Sequence, residues 1–212
     1  MRYEEIAAKL QSLYMLDQQI KLEPKEPLLY VQRAAVYQGR KKFPEAIADY
    51  TKAIEMKYKS DSEVGDKGQV VYQMRAVCFM QAKNLDAAIA DLTKAIAIEP
   101  NDAPAIANRG AAYLEKKQYA QAMADYSRAL QVDPKLSLAY EGIGETCYKT
   151  GQHARAIEYL TRALSSDPKF AQAYFYRGSA YKALGKSGES EKDLKKAASL
   201  GYQPGQTLYS SK

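Results

Sequence analysis

Histidine, cysteine and tryptophan are scarce in this sequence, whose 212 residues include one histidine, two cysteines and no tryptophan. The single imidazole, His153, has no Cys, Asp or Glu at ligand spacing around it, so it does not indicate a metal site or a general base. The patterns GxxxxGK[ST], GxSxG and CxxC are also absent. We therefore expect no catalytic residue, no metal, no cofactor and no enzymatic activity, and we interpret His153 as a packed turn residue.

Long apolar runs are missing as well. No run approaches the length of a membrane span, and Met1 to Lys9 lacks the hydrophobic core of a signal peptide. This predicts a soluble protein, cytoplasmic unless a targeting segment once preceded Met1. The net charge of +6 comes from basic residues interleaved with acids along the whole chain, which is typical of solvated faces. Nucleic-acid binding through these residues is the less favoured alternative, and a steep salt dependence would reveal it.

Residues 103–134 show the periodicity of two amphipathic helices separated by a short polar turn around Lys117 and Gln118. Helices joined by so short a turn fold back on each other as an antiparallel hairpin. Pro134 ends the second helix, because proline has no amide hydrogen and disfavours helical angles at Asp133. The facing stripes are Ile106, Gly110 and Tyr113 on the first helix and Ala122, Tyr126 and Ala129 on the second.

The hairpin pattern recurs along the chain, in copies that start at residues 27, 69, 103, 137 and 171. The copies are 34 residues apart except in the first interval, where eight extra residues fall in a predicted loop at 59–68. This unit, with small residues, aromatics and a closing proline at fixed places, resembles the tetratricopeptide repeat (TPR). The resemblance covers residues 27–202 and implies an all-α, right-handed α-α superhelix of five repeats. Pentatricopeptide repeats, which bind RNA, run one residue longer and lack this alanine and proline pattern.

Both ends of the chain depart from the repeat. Residues 1–26 contain an uninterrupted amphipathic pattern from Tyr3 to Leu22, closed by Pro24, which predicts an N-terminal helix. This helix is either a partial repeat or a cap on the apolar end of the stack. Residues 203–212 are predicted to be a C-terminal tail that folds back as a short turn or frays.

The two cysteines, Cys78 and Cys147, fall on the first helices of different repeats, with a whole repeat between them. Their backbones are then too far apart for a disulfide. We interpret both as small core residues, which leaves the redox compartment open.

One internal correlation predicts how each hairpin is held together. The first helices of four repeats carry an arginine, and an aspartate follows sixteen residues later in the second helix. The fourth repeat changes both places together, to Ile143 and Tyr159. We predict a bidentate contact within each repeat. The pairs are Arg33 with Asp49, Arg75 with Asp91, Arg109 with Asp125, and Arg177 with Asp193.

Places two, five, nine and twelve of each first helix are predicted to face a shared concave groove. This groove is apolar in three repeats, acidic in the fourth and aromatic in the fifth. It predicts a protein or peptide partner with apolar side chains and a Lys or Arg that reaches Glu141 and Glu145. The alternative is that small residues line this face only because adjacent first helices crowd there. The predicted groove residues are Val31, Ala35, Gln73, Val77, Met80, Ala107, Ala111, Leu114, Glu141, Glu145, Tyr148 and Phe175.

These features predict a non-enzymatic scaffold that binds a partner segment in its groove. A self-assembling oligomeric scaffold is the close alternative, because exposed apolar ends and grooves accept another copy's terminal helix. One subclass of the resembled family captures acidic chaperone tails through a clamp of Lys, Asn and Arg. We do not expect that activity here, because only one clamp-type residue is present. The clamp places are held by Val31, Ala35, Met74, Pro104 and Asn108.

Overall fold

The structure, a computed structural model, describes residues 3–56 and 68–202, and the side chains from residue 13 onward within those ranges. These ranges contain eleven helices and no strand. The predicted tail at 203–212 and the predicted loop, apart from Gly68, lie outside the described residues. The helices are α1 (Tyr3–Leu22), α2 (Pro27–Gly39), α3 (Phe43–Glu55), α4 (Gln69–Gln81), α5 (Leu85–Ile98), α6 (Ala103–Glu115), α7 (Tyr119–Val132), α8 (Ser137–Lys149), α9 (His153–Ser166), α10 (Ala171–Ala183) and α11 (Ser187–Ser199).

The chain forms two compact units, the first ending at Pro100 and the second beginning at Asn101. The first unit contains α1 to α5 and the second contains α6 to α11. Each predicted hairpin forms, because α2 packs on α3, α4 on α5, α6 on α7, α8 on α9 and α10 on α11. We call the first helix of each hairpin the leading helix and the second the trailing helix. Within a unit, consecutive leading helices also contact one another, and the predicted all-α class is confirmed.

The turn inside every hairpin uses one residue in the left-handed region. Its φ is 58° at Lys41, 61° at Lys83 and 59° at Lys117, and Gly151 and Gly185 hold the same place in the last two repeats. The next backbone N–H then donates back to a carbonyl near the end of the leading helix, as from Gln118 to Tyr113 at 2.9 Å. The predicted turn at Lys117 is confirmed. His153 is not in the turn as predicted but is the first residue of α9.

Tyr126 on α7 is buried between two glycines of neighbouring leading helices. A Cβ added at Gly110 would lie 3.1 Å from the Tyr126 ring, so α6 and α7 approach each other closely at this predicted facing position. A Cβ added at Gly142, on α8, would lie only 2.1 Å from Cζ of the same ring. The Tyr126 ring therefore packs against the Gly142 backbone and couples one repeat to the next.

The predicted arginine–aspartate contacts are confirmed in all four repeats, each as a fork of two hydrogen bonds. In the second repeat, Arg75 donates from Nε to Asp91 Oδ2 at 2.7 Å and from Nη2 to Asp91 Oδ1 at 2.8 Å. Hydrogen bonding to Asp49 raises the pKa of Arg33, and burial offsets only part of that rise. The equivalent forks join Arg33 to Asp49, Arg109 to Asp125, and Arg177 to Asp193.

A further contact of the same arginines was not predicted. The Nη1 atom of Arg75 donates to Thr51 Oγ1 at 2.8 Å, on the trailing helix of the preceding repeat. Arg177 donates to Thr161 at 3.1 Å, and Arg33 to Asp17 at 2.7 Å, in the same way. Each of these three arginines therefore links the leading and trailing helices of its own hairpin and also binds the helix that precedes that hairpin.

The predicted helix from Tyr3 to Leu22 is confirmed as α1, which packs on α2. Asp17 meets Arg33 at the place that Thr51 takes in the next repeat, so the end of α1 substitutes for a trailing helix. The other side of α1 leaves large apolar side chains in solvent, with Tyr14 63% and Leu22 82% exposed.

Candidate partner-binding surfaces

In the first unit, the predicted groove residues differ in accessibility. Ala35 is exposed, Gln73 is half-buried, and Val31 is half-buried against the core of the unit. Val77 and Met80 are buried. The large apolar side chains that are exposed on this face lie at place two of the leading helices, where Leu28 is 44% and Val70 is 43% exposed.

In the second unit, the small and apolar groove residues are inside the protein. Ala107, Ala111 and Leu114 are all buried. These three residues, like Val77 and Met80 in the first unit, are therefore less accessible to solvent than was predicted from the sequence. The physical reason is that consecutive leading helices contact one another, as α6 and α8 do, and the residues between them lose solvent. A role for these five side chains in binding stays a prediction.

Glu145 on α8 is buried, with its carboxylate paired by the protein's own donors. The Tyr176 hydroxyl donates to Oε1 at 2.6 Å, and Lys149 Nζ lies 3.0 Å from the same oxygen. Gln172 Nε2 donates to Oε2 at 3.0 Å. Both oxygens of Glu145 are thus engaged without a partner protein.

Glu141, one helical turn before Glu145, is in a different state. It is 3% exposed, and its Oε1 accepts no hydrogen bond from any described residue. Gln172, on the neighbouring leading helix, is also 3% exposed, and its Oε1 likewise has no donor among the described residues. Burial, and then the charge of Glu145, raise the pKa of Glu141 well above its usual range, while Gln172 and Lys149 act in the opposite direction.

Aromatic rings adjoin this acidic pair. Tyr148 and Phe175, both half-buried, lie with their ring centroids 5.7 Å and 5.3 Å from that of Tyr176. Tyr202, which follows α11, places its ring centroid 4.7 Å from that of Phe175. Burial, with the charges of Glu145 and Glu141, raises the pKa of Tyr202 to about 12, as expected for a phenol beside two carboxyl groups.

The structure therefore brings together four of the predicted residues, Glu141, Glu145, Tyr148 and Phe175, on the leading helices α8 and α10. The groups that pair with Glu145 were not predicted from the sequence. Lys149 follows Glu145 by four residues, so helical spacing could have identified it. Tyr176, Gln172 and Tyr202 reach the carboxylates from other elements, which helical spacing alone does not show.

The described ranges contain no group of three or more His, Cys, Asp or Glu side chains that could hold a metal ion. None of the helices in those ranges has the length and apolar character of a membrane span. Asn108, the one residue that matches the chaperone-tail clamp, is buried.

Models of the tetratricopeptide repeat match residues 70–102, 103–136 and 171–200, and a TPR repeat model matches residues 144–185. The first three segments coincide with the hairpins α4–α5, α6–α7 and α10–α11, and the fourth begins within α8 and ends just after α10. The chain is a tetratricopeptide repeat protein. As a TPR protein it belongs to a family of interaction scaffolds built from stacked helix pairs.

Solved structures show the same TPR fold at low sequence identity. A tetratricopeptide repeat protein from Parabacteroides merdae is 20% identical, with a TM-score of 0.76 and coverage of 95% of this chain and 77% of that chain. A MamA structure is 24% identical, with a TM-score of 0.62, covering 82% and 91%. YrrB, described as a TPR protein with an unusual peptide-binding site, is 18% identical, with a TM-score of 0.58, covering 88% and 92%. None of the curated proteins matches the sequence.

Proposed function

We propose that this TPR protein is a non-enzymatic scaffold that binds a segment of a partner protein on the leading-helix face of each unit. The observation that carries the proposal is the exposure of Leu28 and Val70 at the same place of consecutive leading helices in the first unit. Exposed apolar side chains repeated along contacting helices suit a segment that lays its own apolar side chains across them. The peptide-binding site of YrrB is consistent with such a use of the fold.

The leading-helix face of the second unit suits a different part of the partner. Tyr148 and Phe175 offer half-buried aromatic surface beside the Glu141–Glu145 pair. Aromatic rings next to buried acids favour side chains that are long, partly apolar and positively charged. We therefore propose a partner segment that carries both apolar and basic residues.

Charge placed on the first unit's face should abolish the binding of segments that dock there. Short random peptides are selected on the wild-type protein, and their dissociation constants are measured with the variant Leu28→Glu, Val70→Glu. We expect at least tenfold weaker binding, because each glutamate loses apolar contact and must be desolvated. The matched control is Val132→Glu with Leu184→Glu, which adds the same charge at similarly exposed apolar residues of the second unit. Peptides that bind both variants like wild type would disprove docking at Leu28 and Val70.

Self-assembly is a second candidate function, because α1 exposes three large apolar side chains, Tyr14, Met15 and Leu22, in its C-terminal half. A second copy of the chain would remove this apolar surface from water. We expect sedimentation equilibrium to show a concentration-dependent dimer or larger species that Tyr14→Glu with Met15→Glu dissociates. The control pair Val132→Glu, Leu184→Glu should leave the assembly intact. A wild-type protein that remains monomeric at every concentration tested would exclude this function.

A further inference from the structure

Two buried oxygen atoms on neighbouring leading helices lack hydrogen-bond donors among the described residues. They are Oε1 of Glu141 on α8 and Oε1 of Gln172 on α10. A buried acceptor without a donor is costly, and a buried carboxylate without a cation costs more. In the free chain the raised pKa of Glu141 favours its protonated form, which carries one O–H donor of its own, and a cation with several donors can take the place of that proton.

The hydrogen bonds and the ion pair of this cluster converge on Glu145. Tyr176, Lys149 and Gln172 Nε2 all point at Glu145. Because the amide nitrogen of Gln172 is held by Glu145, its oxygen is left in the same cluster as a free acceptor. Within the described residues, the cluster thus contains the paired carboxylate of Glu145 and two oxygens without a donor, Oε1 of Glu141 and Oε1 of Gln172.

We propose that the partner segment inserts the ε-ammonium group of a lysine between Glu141 and Gln172. This inference rests on the proposed function and names the chemistry of one partner residue. An ammonium is a compact cation with three donors, so it can give one hydrogen bond to each of the two oxygens and balance the charge of Glu141. Glu145, which is already paired, adds attraction without needing a further donor.

Arginine fits this position less well. Its planar guanidinium has five donors in a fixed fork and pairs best with both oxygens of one carboxylate, as Arg75 does with Asp91. Glu141 and Gln172 instead offer single oxygens from two residues, each 3% exposed. A guanidinium placed there would leave several of its donors buried and unpaired.

The aromatic rings define how the lysine would enter. Tyr202 packs on Phe175 beside the acidic pair, and it lies beyond the end of α11 at Ser199. Its ring can therefore move aside without moving a helix. The lysine stem then packs against the rings of Phe175 and Tyr148 and takes the place of the Tyr202 ring.

Proton release should accompany binding. Burial and the charge of Glu145 raise the pKa of Glu141 well above its usual range, so they favour the protonated carboxyl in the free protein. The ammonium favours the carboxylate, so the proton is released to the buffer. The charged and titratable groups that act on Glu141 are Glu145 and Lys149 on α8, Tyr176 on α10, and Tyr202 after α11. Affinity should therefore rise as the pH approaches the pKa of Glu141 from below.

The decisive experiment is an NMR titration of the full chain with n-butylammonium, which reproduces the end of a lysine side chain. We expect saturable shifts of the Gln172 side-chain amide and the Glu141 carboxyl carbon. n-Butylguanidinium should bind about tenfold more weakly, and tetramethylammonium, which cannot donate, should not saturate these signals. Absence of saturable shifts with n-butylammonium, or equal binding of all three cations, would overturn the proposal.

Variants add a second line of evidence. Glu141→Gln should weaken n-butylammonium about tenfold or more and abolish proton release. Glu189→Gln, which removes an exposed carboxylate from α11 in the same unit, should change neither. Unchanged affinity of Glu141→Gln would overturn the proposal. Should that variant fail to fold, the comparison of the three cations on the wild-type protein decides alone.

The outcome separates this proposal from the proposed function. If peptides selected on the wild-type protein keep their affinity when every lysine is replaced by norleucine, the lysine site is wrong and the scaffold function stands. If n-butylammonium binds at Glu141 but no peptide binds either unit, the scaffold function is wrong and the cation site stands.

Discussion

Replacing Asp91 by alanine should lower the free energy of unfolding by about 3–5 kcal/mol, because it strands the Arg75 guanidinium at a mostly buried site. Side chains of Arg75 and Asp91 are only 12% and 4% exposed, and the fork between them is made at 2.7 and 2.8 Å. Urea denaturation followed by circular dichroism measures the loss. The exposed pair between Lys42 and Glu45 supplies the control, since Glu45→Ala should change stability by about 0.5 kcal/mol or less.

The fourth repeat provides the compensating change. It carries Ile143 and Tyr159 where the second repeat carries Arg75 and Asp91, and the Tyr159 ring packs 6.5 Å from that of Tyr140. Tyr72 holds the place of Tyr140 in the second repeat, so the double variant Arg75→Ile, Asp91→Tyr has the same aromatic neighbour.

This double variant should lose less than half of what Asp91→Ala loses, since it leaves no buried charge unpaired. Thr51, which accepts a hydrogen bond from Arg75, still donates to the Ile47 carbonyl at 2.7 Å. A double variant that is less stable than Asp91→Ala would show that the residue pair of the fourth repeat cannot substitute for the ion pair.

Gly142→Ala should destabilise the protein by roughly 2–3 kcal/mol, even though alanine is the better helix former. The added methyl group would lie 2.1 Å from Cζ of Tyr126, and Gly110 blocks the ring on its other side. Thermal unfolding of the two variants Gly142→Ala and Gly188→Ala provides the comparison. A Cβ at Gly188 meets nothing within 4 Å, so that change should be neutral or stabilising by about 1 kcal/mol at most.

A double-mutant cycle identifies the cause. In a Tyr126→Ala background the ring is gone, so Gly142→Ala should cost nothing or even stabilise the helix. If Gly142→Ala is equally harmful with and without the Tyr126 ring, the close contact is not the reason for glycine at this position.

The sequence was sufficient to predict the helices, the turns between them and the arginine–aspartate pairs. Periodicity alone placed α1 at its observed bounds, because nothing breaks its apolar pattern before Leu22. The pairing of Arg75 with Asp91 was predictable because both places change together in the fourth repeat. The contact from Arg75 to Thr51 was not, because an insertion separates the two residues in the sequence and the bond joins different repeats.

The candidate binding surface was predictable only in outline. Helical spacing correctly grouped Glu141, Glu145, Tyr148 and Phe175, which adjoin one another in the second unit. It did not distinguish the accessible Leu28 from the buried Met80, although both lie on the predicted face. Exposure depends on how closely neighbouring leading helices approach, and that distance follows from packing rather than from the period.

The amino-acid sequence by itself determined the repeat, the all-α class and the partners of the four arginines, since each depends on local periodicity or on residues that vary together within one chain. Only the tertiary structure decided which carboxylate is satisfied. Glu141 and Glu145 look alike in the sequence, but Tyr176 and Gln172 of α10 donate to Glu145, whereas Oε1 of Glu141 has no donor among the described residues. Such a difference arises from distances between elements, which one-dimensional spacing does not contain.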